Sequence, residues 1–132
     1  MLKPKIAVRF LLLILIPLTI FHISILIKIA PQEIIWGGRS NNEGEVYLLE
    51  SISLLATLYL ILLLLIRGSF IQPLLSPKVV NISLWVFLIF FILNTVGNML
   101  AKSTTEQVFA LLTMAMSVLL WTILKKQDAQ RS

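Results

Sequence analysis

The stretch Phe91-Ile-Leu-Asn94-Thr95-Val-Gly97-Asn98-Met-Leu-Ala101-Lys102 decides how the rest of the chain is read. It closes an apolar run long enough to cross a bilayer, yet it holds two amides, a hydroxyl and a glycine. Four residues separate Asn94 from Asn98, and four more lead to Lys102, so a helix sets all three on one face. In hydrocarbon such a face is costly unless it meets protein or water. The stretch therefore asks for other helices around it.

Composition supplies them. Of 132 residues, 58% are hydrophobic and 13% charged, with a mean hydropathy of +0.97. A water-soluble domain of this length leaves much of its area in solvent and needs more polar surface than that. Reading outward gives four apolar spans, at about 6–30, 46–66, 79–101 and 107–124, with a polar tail at 125–132. Each reaches the roughly 17–25 residues that cross about 30 Å of hydrocarbon. The expected fold is all-α: a polytopic membrane protein, one domain, its four transmembrane helices in a compact bundle.

The first span competes with a secretory signal peptide, because Lys3, Lys5 and Arg9 precede Leu11-Leu-Leu-Ile-Leu-Ile16. The apolar run continues past Pro17 to Ile29 with no small-residue cleavage site after it, which favours a retained helix. Pro17 removes one backbone donor and is expected to kink that helix. Pro31, Gly37-Gly38 and Asn41-Asn42 mark the first loop, Pro73 and Pro77 the second, and Thr104 or Thr105 a cap for the last span.

Charge sets the topology. With four spans, the N-terminus, the second loop and the tail share a side carrying Lys3, Lys5, Arg9, Arg67, Lys78, Lys125, Lys126 and Arg131, eight of the 11 basic residues. The other side has Lys28, Arg39 and Lys102 among Glu33, Glu43, Glu45, Glu50 and Glu106. By the positive-inside rule both termini are cytoplasmic, in the cell membrane. The basic residues flank apolar runs without stacking aromatics, so nucleic acid is not an expected partner. Asn81-Ile82-Ser83 matches a glycosylation sequon but falls on the cytoplasmic edge.

Counting about 1.5 Å per residue from the outer helix ends puts Glu50 and Asn98 roughly 6 Å deep, and His22 and Asn94 roughly 10–12 Å deep. The inner halves are almost purely apolar, as in Leu60-Ile-Leu-Leu-Leu-Leu-Ile66. Helical spacing aligns Glu50, Ser53 and Thr57 on the second span and Thr19 with His22 on the first. On the fourth, Glu106, Ala110, Thr113 and Ser117 form a small and polar stripe. A pocket open to the outside, lined by His22, Glu50, Ser53, Thr57, Asn94 and Asn98, is the candidate ligand site. Trp36, Arg39, Lys102 and Glu106 are its candidate lid or rim. Structural accounts stand beside this one: the two asparagines as interhelical glue, Gly97 as a close-packing point, Glu50 as a solvated first-turn acid, and Lys102–Glu106 as an exposed pair across a turn.

The absence of cysteine excludes thiol chemistry and cysteine-ligated metals, and a single histidine argues against a protein-only zinc site. No cofactor is expected, and Gly-x-Ser-x-Gly, His-Glu-x-x-His and phosphate-loop motifs do not occur. Three functions remain open. The first is a non-catalytic protein binding a small molecule, a lipid head group or a partner helix. The second is an oligomeric transporter coupled to protons or cations. The third is an intramembrane acid–base enzyme of isomerase type using His22 and Glu50. Membrane lipids, a second copy or another membrane protein are the expected partners. The segments Pro31-Gln-Glu-Ile-Ile-Trp36-Gly-Gly-Arg39, Glu50-Ser-Ile-Ser53 and Leu93-Asn-Thr-Val-Gly-Asn98, with Ala101-Lys102 and Glu106, resemble a group of small four-helix bacterial membrane proteins without an assigned activity. Span count and size are also distantly similar to DoxX-like proteins. The resemblance implies a bacterial cytoplasmic membrane and no reaction.

Overall fold

The computed structural model describes residues 3–27, 43–100 and 104–131, with backbone alone at 4, 43–46 and 126–131. Among these residues the chain forms four helices: α1 Pro4–Leu26, α2 Glu43–Arg67, α3 Pro77–Met99 and α4 Thr104–Arg131. Each is long and apolar enough to cross a membrane. Residues whose outward-facing positions are Leu, Ile, Val and Phe, such as Leu13, Leu55, Ile89 and Val118, expose them on every helix. In water that surface would drive aggregation; in lipid it costs nothing.

The helices run up and down in sequence order. Trp85 meets Trp121 and Thr95 meets Thr113 across α3 and α4. Phe21 meets Phe109 across α1 and α4, while Tyr59 reaches Ser83 and Phe87 across α2 and α3. Each helix thus touches the next and α4 closes back on α1, as in an antiparallel bundle. The start of α1 lies beside the end of α2, so the two termini share one end.

The ends of the helices depart from the expected spans for local reasons. α3 begins two residues early because Ser76 caps it, accepting from the Val79 N–H at 3.3 Å, and Pro77 occupies the first turn, where its missing N–H matters least. α4 begins at Thr104, which makes both threonines part of the helix rather than its cap. It also runs on through the expected polar tail to Arg131. α1 continues through Pro17 without interruption. The proline deprives the Leu13 carbonyl of its donor four residues on.

The end shared by the termini holds the apolar core. Ala7, Val8, Leu11 and Leu15 of α1 pack with Leu60, Leu63 and Leu64 of α2, Val80, Leu84 and Leu88 of α3, and Met116, Leu120, Ile123 and Leu124 of α4. Lipid tails are as apolar as leucine, so burial from water does not hold these side chains together. Dispersion contacts in a close-packed seam do.

Candidate functional site

The other end of the bundle is filled differently. His22, Glu50, Thr57, Thr95, Asn98, Glu106, Thr113 and Ser117 are all buried there, with Ile25 and Ala110 as the buried apolar residues among them. Hydroxyls on transmembrane helices can be satisfied without leaving their own helix, and most of these are. Thr57 donates to the Ser53 carbonyl at 2.7 Å, Ser117 to that of Thr113 at 2.8 Å and Thr19 to that of Leu15 at 2.8 Å. Their protons are spent locally, which leaves Thr57 only acceptor capacity toward anything else.

A hydroxyl pair and an imidazole–carboxylate pair join helices at this level. Thr95 Oγ1 donates to Thr113 Oγ1 at 2.8 Å, and Thr113 lies 3.0 Å from the Phe109 carbonyl that takes its own proton. In the second, His22 Nδ1 lies 2.6 Å from Glu50 Oε2, linking the end of α1 to the start of α2. With Glu50 as a carboxylate its oxygen can only accept, so the ring nitrogen facing it is the donor; a neutral ring is then the Nδ1–H form with a lone pair on Nε2. Glu50 has no exposed surface, whereas His22 keeps 8% of its own. The pair is therefore reached through the imidazole.

Several sequence expectations change here. Glu50 is not a solvated first-turn acid; it turns inward because the 3.6-residue repeat puts it on the face of Thr57 and Leu64. Glu106 is buried rather than exposed. At 6% exposure it is held in the first turn of α4, where the helix dipole favours an acid. The helix-joining role expected of the two asparagines falls to Thr95, one position along. Asn98 is buried and Asn94 half-buried. Neither side-chain amide hydrogen-bonds a partner among the described residues. Gly97 is not a packing point: a Cβ there would meet nothing within 4 Å, because the residue faces outward between Val96 and Asn98. Ser53 is half-buried on the face of Glu50. Trp36, Arg39, Lys28 and Lys102 lie outside the described residues.

Two grooves, of about 560 and 370 Å³, run along the seam of α1 and α4. Phe10, Leu13, Leu111 and Met114 line the first, and Pro17, Phe21, Phe109 and Leu112 the second, with Ile14 common to both. They are apolar and do not include the His22–Glu50 pair. Among the described residues no three of His, Asp or Glu come together as metal ligands. What the polar end can do chemically is engage a ligand at His22 Nε2, with Glu50 fixing the orientation of the ring.

No family model, no curated protein and no solved structure matches this chain. The four helices identify a multi-pass membrane protein, and any finer reading rests on the side chains.

Proposed function

We propose that this protein binds a small polar molecule or lipid head group in the outer half of its bundle, at His22 held by Glu50. The Asn98 amide offers further donors and an acceptor. The observation that carries this reading is the 2.6 Å His22–Glu50 contact, in which the acid is wholly buried and the ring is the accessible partner. An orienting carboxylate behind a buried imidazole makes the second nitrogen a better acceptor, which suits a ligand bearing a hydroxyl or an ammonium group. The bias of basic residues supports a cytoplasmic-membrane location with both termini inside.

The same contact favours one second reading, an intramembrane acid–base enzyme, since the dyad has the two parts that proton abstraction needs. Transport finds less support, because the buried residues of the half nearest the termini are apolar on all four helices.

His22 is the sole histidine, so the carbethoxyhistidine formed by diethyl pyrocarbonate reports on it alone. In lipid nanodiscs, a molecule retained by the wild type in native mass spectrometry is expected to protect His22 from the reagent. It should be absent from His22→Gln and reduced in Asn98→Leu. Equal occupancy in the wild type and both variants, none included, would sink the proposal. For the enzyme reading, Glu50→Gln retains binding and loses turnover of the bound species; unchanged turnover in that variant excludes it.

A further inference from the structure

At the end opposite His22, α2 does not simply stop. The Phe70 N–H bonds the Leu65 carbonyl at 2.9 Å, the Ser69 N–H bonds that of Ile66 at 3.1 Å, and Ser69 sits at φ 60°. This is the double hydrogen bond of a left-handed helix cap, at a position where glycine is the usual residue. Here the glycine comes one place earlier and answers a different need. A Cβ on Gly68 would lie 2.7 Å from the Phe70 ring and 3.1 Å from Val8. Only a bare backbone lets the turn settle on α1 with Phe70 folded back across it.

The turn thereby puts one aromatic ring beside two cations. Lys5 Nζ lies 5.8 Å and the Arg9 guanidinium carbon 5.9 Å from the centre of the Phe70 ring. The two residues are four apart on α1, where like charges repel, and the shared ring holds both on one side. Neither has a carboxylate partner among the described residues, and the first turns of α1 and α3 contain no acid. The sequence puts eight basic residues at this end and one of its six acids, Asp128. Two exposed cations held together at a membrane edge are placed to meet an anion from outside the chain.

We propose that Lys5 and Arg9, gathered over Phe70, form a clamp for the phosphate of an anionic membrane lipid. The arginine fork suits two phosphate oxygens and the lysine a third. The exposed ring edge, with Phe70 43% exposed, lies against the first carbons of the lipid chains. A general attraction of anionic lipid to basic residues is worth roughly a few-fold in affinity per charge; a clamp adds dependence on these two residues and on the ring that groups them.

The test uses the full chain in phosphatidylcholine nanodiscs doped with dioleoyl phosphatidylglycerol, reading lipid retained per protein by native mass spectrometry. The wild type is expected to retain phosphatidylglycerol over phosphatidylcholine. The doubly substituted Lys5→Ala, Arg9→Ala protein should retain at least about tenfold less. Phe70→Leu should fall several-fold although it removes no charge, and Lys5→Arg should keep the lipid. All these side chains are exposed, and helical content by circular dichroism checks that each variant folds. If Lys78→Ala, Lys125→Ala, which removes two exposed charges at the same end, costs as much as the double variant, or if Phe70→Leu costs nothing, the effect is surface charge and the clamp is wrong. Displacement of the lipid by millimolar inorganic phosphate would make the site one for free phosphate instead.

Discussion

Around the termini the interior of the bundle is Leu11, Leu15, Leu64, Leu84 and Leu120; further along the same four helices it is His22, Glu50, Thr95, Asn98 and Thr113. The apolar half needs no particular neighbour at any position, only shape and volume. In the polar half His22, Glu50, Thr95 and Thr113 have partners at hydrogen-bonding distance, because an unsatisfied group in hydrocarbon costs several kcal/mol; the Asn98 amide is left for a ligand. One half holds the bundle by packing of apolar side chains. The other gives up packing for groups that can meet a ligand.

The largest effect should come from mixing the two. Leu64→Asn puts an unpartnered amide at a position with no exposed surface and is expected to destabilise by at least about 3 kcal/mol, read by reversible unfolding in mixed micelles. A loss under 1 kcal/mol would mean the apolar half is wetter than its residues imply. Next, Glu50→Ala takes the carboxylate from His22 and should destabilise by roughly 2–3 kcal/mol, with Glu50→Gln milder because an amide oxygen still accepts from Nδ1–H. The same unfolding assay checks both, and equal losses would show that charge, not acceptance, is what His22 requires.

Thr95→Val removes one interhelical hydrogen bond and should cost about 0.6–1.7 kcal/mol. The doubly substituted Thr95→Val, Thr113→Val protein should lose less than the sum of the singles, since either change alone ends the contact. The smallest change is Gly97→Ala, expected to stabilise by about 0.5 kcal/mol through helix propensity alone. Any loss of stability or of self-association in that variant would mean something covers the outward face of α3.

Span number, helix direction and the split between halves were legible in the sequence because each follows from a repeat or a count. Leu60 to Ile66 is apolar throughout, and Glu50 with Thr57 keeps a helical face. The pairing of His22 with Glu50 could be expected only as similar depth. Which helices are neighbours depends on how faces dock, and periodicity is silent on that. Thr95 was passed over for the more polar asparagines beside it, although a hydroxyl one position along points at α4. Gly97 was misjudged because a glycine is read as a packing point until its direction is known. Ser76-Pro77 was a usable start signal: a cap residue followed by a first-turn proline.

The route of the chain also bears on how the protein is made. α1 with α2 and α3 with α4 are adjacent antiparallel pairs, the first joined by His22–Glu50 and the Gly68 turn, the second by Trp85–Trp121 and Thr95–Thr113. The link between the pairs is the short segment from Phe70 to Ser76. Each pair can enter the bilayer as a hairpin before the other is synthesised, so assembly becomes the meeting of two inserted pieces along α1 and α4. Chains 1–72 and 73–132, expressed separately, should then find each other in the membrane and co-purify.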